Sequence, residues 1–143
     1  MMDNYYNLPL NLADMIEKKE HPKCTLYESV AMMIHLITTS HFGEYKHDDS
    51  FGCEIWEHDF ENIINTQLYK DQLRKSVQQT VETHEPRLSE VRVDIKIEQI
   101  ESRVGNRRSK SRIKLNINGS LSMTNEPFKY TEQFFIGPLS YAL

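Results

Sequence analysis

His41, His47, Cys53 and His58 fall within one short stretch, and imidazole and thiolate are common donors to zinc. Their spacings fit no zinc-ligand pattern, and acids crowd the same stretch. The plainer reading is a solvated polar loop with Cys53 partly buried. The acids themselves, Glu44, Asp48, Asp49 and Glu54, raise sugar hydrolysis, which needs two carboxyl groups facing each other. Acids strung along one loop do not define a cleft, and surface carboxylates are the common case. Arg103, Arg107, Arg108, Lys110 and Arg112 form a basic cluster. Nucleic-acid readers add aromatic side chains on which bases stack, and this cluster has none. A solvated turn, or contact with an acidic protein surface, fits it better. The run Glu85-Pro86-Arg87 is different in kind. An arginine fork grips a carboxylate or backbone carbonyls with two prongs, and the neighbouring proline fixes how the fork is presented. The same pair of charges would serve equally to tie a corner together within the domain.

The elements that position these residues follow from period and punctuation. Asn11 caps a short helix with Leu12, Met15 and Ile16 on one face, ended by Pro22. Thr25-Leu26-Tyr27-Glu28 has the form of a capping box, and Val30, Met33, Ile34 and Ile37 follow at helical spacing to about Thr39. Ser40 to Ser50 reads as a loop containing Gly43 and Asp48-Asp49. Phe51-Gly52 and Ile55-Trp56 are apolar islands that pin it down, and Asp59 caps a short turn through Phe60 and Ile63. A second long helix is predicted from about Asn65 to His84, burying Leu73, Val77 and Val81, with Pro86 turning the chain. The period then changes to two. Val91, Val93, Ile95 and Ile97 make one strand, and Ile113, Leu115, Ile117 and Leu121 a second across a polar tip at Gly105-Asn106. Phe128, Tyr130 and Phe134 suggest a third, closed by Gly137-Pro138, and the adjacent pair Phe134-Phe135 puts an aromatic on each face. Helices first and an antiparallel sheet second make the fold class α+β, with N-terminal helices packed on a small antiparallel three-stranded sheet.

The 143 residues fit one domain, able to bury roughly 68–70% of its unfolded surface without a metal or disulfide. A net charge of −4 without a long run of one sign gives no reason to expect nucleic acid or anionic lipid. Cys24 and Cys53 form no CxxC pair and read as thiols of a reducing compartment. Met1 to Leu10 lacks the basic-then-apolar pattern of a signal peptide, and no apolar run is long enough to span a membrane. The expected location is cytoplasmic.

Between Leu26 and Ile136 the parts occur in a telling order. An apolar helix ends in Leu36-Ile37-Thr38-Thr39, a loop carries Gly43-Glu44, then comes Phe51-Gly52. A helix next closes on Glu85-Pro86-Arg87-Leu88, followed at once by the alternating strand. In this the chain resembles the phage W and T-even baseplate wedge (lysozyme-like) family, which includes the type VI secretion baseplate protein TssE. Family members usually carry arginine after Gly-Glu, where this chain has Tyr45.

The resemblance implies a non-enzymatic component of a contractile injection system baseplate that docks on the wedge core and templates sheath assembly. Its implied partner-binding residues are Glu85, Pro86 and Arg87, with Gly43, Glu44, Phe51 and Gly52. Arg87 is expected to point outward to a helical partner, and the small sheet to resemble the sheath's own strand-exchange domain. The implied partners are other wedge proteins and sheath subunits in a large hetero-oligomer, with no cofactor, metal, nucleic acid or membrane insertion. Residues 1–24 would form an extension with a short helix, and residues 25–143 the wedge-like domain. The extension and Tyr45 lean toward a type VI secretion system. The alternative function is a lysozyme-like peptidoglycan hydrolase, a label some members of the family carry.

Overall fold

The computed structural model describes residues 5–53, 66–100 and 110–136. In chain order the elements are β1 (Tyr5–Tyr6), α1 (Leu12–Ile16), β2 (Lys23–Cys24), α2 (Leu26–Thr39), α3 (Thr66–His84), β3 (Leu88–Ile100), β4 (Lys110–Leu121) and β5 (Pro127–Ile136). The fold is α+β with two antiparallel sheets, β1-β2 and β3-β4-β5.

The start of α2 is fixed by local pairing. Thr25 accepts the Glu28 backbone N–H at 3.2 Å while the Glu28 carboxylate accepts that of Thr25 at 2.9 Å, completing the capping box. On α2 the buried side chains are Leu26, Val30, Ile34, Ile37 and Thr38, with Met33 half-buried. Leu73, Val77 and Val81 of α3 are fully buried, each stabilising the fold by roughly 1.5–3 kcal/mol over an exposed side chain. An aspartate in place of Val77 would bury an unpaired charge there and break the seat of the helix. One apolar cluster joins Leu26, Val30 and Ile34 of α2 and Leu73, Val77 and Val81 of α3 to Val93 and Ile95 of β3, Leu115 and Ile117 of β4, and Phe128 and Phe134 of β5.

α1 stops earlier than Pro22 suggested. Its last residue is Ile16, because Lys18 takes a left-handed conformation (φ 60°) and the amides of Glu17, Lys18 and Lys19 turn back on the carbonyls of Ala13, Met15 and Asp14. The chain then returns to pair Tyr5 with Cys24 and Tyr6 with Lys23, a small sheet that the alternation of side chains did not announce.

β3 begins at Leu88, directly after the corner, rather than at Val91. Its register against β4 slips between Ser89 and Arg92, where Glu90 stands at φ 53°. This is a β-bulge, and Gly119 opposite it makes room: a Cβ there would lie 2.8 Å from the Ser89 carbonyl oxygen. The expected aromatic split holds, with Phe134 buried and Phe135 63% exposed. Ile55, Trp56, Asp59, Phe60, Ile63, the tip at Gly105-Asn106 and Gly137-Pro138 lie outside the described residues. No described helix is long and apolar enough to cross a membrane.

Candidate functional site

The corner between α3 and β3 is built around a buried carboxylate. Pro86 has no N–H to continue the helix, so the Glu85 amide makes the final helical bond, to Val81 O at 2.8 Å. Glu85 is 1% exposed, which an anion tolerates only when paired. Arg87 supplies the pair in full. Its Nε donates to Oε1 and its Nη2 to Oε2, both at 2.8 Å, and its backbone N–H donates to Oε1 at 3.1 Å. The hydrogen bond to the Glu85 carboxylate holds the guanidinium pKa above its usual value.

Arg87 also ties the corner to three other parts of the fold. Its Nη1 donates to Ser29 Oγ on α2 at 2.9 Å. Its carbonyl accepts the Ser122 N–H from the β4–β5 turn at 2.8 Å. Its guanidinium carbon stands 5.1 Å from the centre of the Tyr5 ring on β1, a cation–π contact. The side chain expected to point outward is therefore turned in, with 26% of its surface exposed, drawn by the buried carboxylate of Glu85. The tie within the domain is present, and Pro86 is the exposed residue of the three.

The loop motifs converge on the same end of α3. Cys53 N–H bonds Ser40 O at 2.9 Å and closes the stretch between them into a compact loop. Gly43 turns it at φ 80°, and Glu44 accepts the His41 backbone N–H at 2.9 Å. Gly52, at φ 140°, lies so close to the His41 backbone that a Cβ would approach its carbonyl to 2.8 Å. The Gly52 carbonyl accepts Thr80 Oγ1 of α3 at 2.9 Å. Phe51 sets its ring edge-to-face on His84, 5.1 Å between centres, and the His84 Nε2–H points to Ser50 O at 3.3 Å. His84 is bonded in sequence to Glu85, so Gly43, Glu44, Phe51 and Gly52 belong to the loop that buttresses the corner. Sequence reasoning did not single out His84, Tyr5 or Ser29. A histidine closing the helix before Glu85 was the one available signal. Tyr45 meets Phe51 edge-to-face at 5.7 Å and His47 edge-to-face at 5.4 Å, and is 50% exposed.

The competing constellations take these positions. Among the described residues no group of three or more His, Cys, Asp or Glu side chains is placed to share a metal ion. Cys53 is wholly buried, and His58 and Glu54 lie outside the described residues. Asp48 accepts the Ser50 hydroxyl at 2.6 Å and its amide at 2.9 Å, and these bonds hold its carboxyl below the ordinary range. A sugar-cleaving acid needs the opposite shift. Of the basic cluster, Arg112 is paired with Glu98 across β3 and β4, and Arg103, Arg107 and Arg108 lie outside the described residues.

The sheet has two edge strands, β3 and β5. At β5 the Tyr27 hydroxyl donates to Lys129 O at 2.6 Å and accepts the Lys129 N–H at 3.3 Å. The Lys129 backbone thus faces away from β4, and by the alternation of an antiparallel ladder so do Thr131, Gln133 and Phe135. Among the described residues no strand pairs with that edge.

A crystal structure from Geobacter sulfurreducens, of a protein described as a candidate tail lysozyme, superposes with a TM-score of 0.60 at 21% identity. The match covers 84% of this chain and 99% of that one, and it shows a shared fold. A comparison with curated proteins returned no match. Residues 24–126, which run from the end of β2 through both sides of the corner to the β4–β5 turn, match the family of the baseplate wedge protein gp25, and the chain belongs to that family.

Proposed function

We propose that this chain is a non-enzymatic structural component of a contractile injection system baseplate, which docks on the wedge core and templates sheath assembly. The observation that carries the reading is the family match over residues 24–126. The geometry supports it in two ways. The Glu85–Arg87 pair and the 40–53 loop make a stiff corner that offers Pro86 to a partner, with Gly43 and Glu44 exposed on the adjoining loop. Rigid presentation lowers the ordering cost of association. The outer edge of β5 offers backbone groups to an added strand, as sheath templating requires.

In this reading residues 1–24 are an extension, residues 25–143 the wedge-like domain, and the N-terminal helices pack on the three-stranded sheet. Its partners are other wedge proteins and sheath subunits within a large cytoplasmic hetero-oligomer, and it needs neither metal nor cofactor. The extension and Tyr45 favour a type VI secretion system, in the position of TssE, over a tailed phage.

The name of the Geobacter protein brings in the other reading, a peptidoglycan hydrolase. One experiment separates them. Pro86→Glu changes the exposed tip of the corner and leaves the Glu85–Arg87 pair in place. It is expected to melt like wild type yet lose co-purification with the wedge proteins encoded alongside it. Retained co-purification would sink the docking role. Peptidoglycan turnover by the purified protein, lost in Asp48→Asn, would establish the hydrolase instead.

A further inference from the structure

We infer that the segment from Tyr5 to Cys24 is a displaceable strap over Arg87, which must lift before another protein can take that face of the guanidinium. The inference rests on the docking role proposed for the corner and adds its regulation.

Tyr5, packed against the rim of the apolar core, is the main hold of the strap's first arm on the body. The Tyr5 ring covers the guanidinium at 5.1 Å, and its hydroxyl reaches Met123 Sδ at 3.8 Å in the β4–β5 turn. The Leu8 amide meets Met32 Sδ on α2 at 3.4 Å. Sulfur is a poor acceptor, so the ring over Arg87 is the strongest of these three. Internally the strap is better made. Asn7 N–H bonds Pro22 O at 2.9 Å, and His21 Nε2–H donates to Asn7 O at 2.8 Å, so its two arms move together. Between the arms α1 buries none of its side chains, and Ile16 is 81% exposed. The anchor is at the far end, where Cys24 is 1% exposed and runs directly into the capped start of α2.

A segment with little buried apolar surface opens at a small fraction of the cost of unfolding the sheet. Opening this one uncovers Arg87 without dismantling the corner, because the bonds to Glu85 and Ser29 remain. A docking partner then has to supply what Tyr5 supplied: an aromatic face or an acceptor oxygen against a cation already fixed in orientation. The strap and the partner compete for one surface, and the apparent affinity of the corner scales with the fraction of molecules whose strap is lifted.

The test uses the full chain with Tyr5→Ala and Tyr5→Phe, the latter keeping the ring. An arginine-selective dicarbonyl reagent is applied to the native protein and the rate at Arg87 is read by peptide mass spectrometry. Tyr5→Ala is expected to raise that rate several-fold and Tyr5→Phe to leave it near wild type. An unchanged rate in Tyr5→Ala overturns the cover. Amide exchange at Leu8, whose N–H is held by Met32 of α2 and is released when the strap lifts, is expected to run far faster than at Leu115, in the central strand β4. Equal protection would mean that the strap opens only with the whole fold, and overturns the inference.

A third reading keeps the two proposals apart. If Pro86→Glu abolishes capture of wedge proteins and Tyr5→Ala increases it over wild type, both stand. If Tyr5→Ala captures less, Tyr5 belongs to the docking surface and the strap is no cover. If Pro86→Glu still captures them, the docking role falls, while the labelling and exchange rates still decide whether the strap lifts.

Discussion

Arg87 grips the carboxylate of Glu85 from two positions further along the chain, Nε on Oε1 and Nη2 on Oε2 at 2.8 Å each, and the anion it grips is almost wholly buried while the cation is not. The two halves of this pair are therefore not equivalent. Removing Arg87 strands a carboxylate away from water, whereas removing Glu85 leaves a cation that still meets solvent, Ser29 and Tyr5.

Arg87→Ala is accordingly expected to destabilise the chain more than Glu85→Ala. Losing one partner of a buried pair costs roughly 3–5 kcal/mol, and the lower end applies here because a quarter of Arg87 is in water. That is a large part of a total stability of about 5–15 kcal/mol. Arg87→Lys keeps the charge without the fork and should fall between wild type and Arg87→Ala. Urea unfolding of the three variants checks the order, and equal losses for Arg87→Ala and Glu85→Ala would contradict it.

The two glycines of the 40–53 loop should respond unequally to alanine. Gly43 has a positive φ with nothing within 4 Å of a built Cβ, so Gly43→Ala meets only the left-handed penalty of about 1–2 kcal/mol. Gly52→Ala adds a collision with the His41 backbone at 2.8 Å and pushes the Gly52 carbonyl off Thr80. Thermal melts should show the Gly52 variant well below the Gly43 variant, and the reverse order would mean that the loop yields without strain.

Tyr27 plugs one outward step of the β5 edge by bonding both backbone groups of Lys129. Tyr27→Phe keeps the ring against Phe128, 4.8 Å between centres, and removes only the plug. An unplugged edge pairs more readily with another strand. Sedimentation of the variant at rising concentration should show more self-association than wild type, and identical profiles would mean that the Lys129 step does not limit pairing.

Acid stability carries a signature of Asp48 and Glu98. Hydrogen bonds from Ser50 lower the first carboxyl below its usual value of 3.8, and the Arg112 hydrogen bond lowers the second below 4.5. A group depressed in the fold contributes stability that is complete above its unfolded pKa and is lost as pH falls through the lower folded value. Asp48→Asn and Glu98→Gln should each flatten the fall in melting temperature between about pH 4 and pH 2. A steeper fall in either variant would reverse the sign.

What the sequence made legible was local. The Thr25 capping box, the end of α2 at Thr39 and the buried stripe Leu73, Val77 and Val81 each depend on residues a few positions apart. The three strands of the larger sheet followed from alternation for the same reason. The extra sheet joining Tyr5 to Cys24 was not legible, because two residue pairs leave no periodic trace. Neither were the left-handed residues Lys18 and Glu90, whose side chains do not mark that conformation as glycine would. At the corner, the sequence pointed to Glu85 and Arg87 and supplied their charge. It did not reveal which way the guanidinium turns, since that depends on Ser29 and Tyr5, distant in the chain and brought close only by folding.

The bulge at Glu90 sets the phase of the whole sheet. In an unbroken strand Leu88 and Val91 would lie on opposite faces, yet both are buried, at 5% and 6% exposure. The extra residue resets the count, so the corner and the strand that follows it can both face the core. Deleting Glu90 would put the two out of step: either Leu88 leaves the core and Arg87 rotates off Glu85, or Val91, Val93 and Ile95 turn to water. One residue outside the buried pair thus decides which side of the molecule the arginine is on.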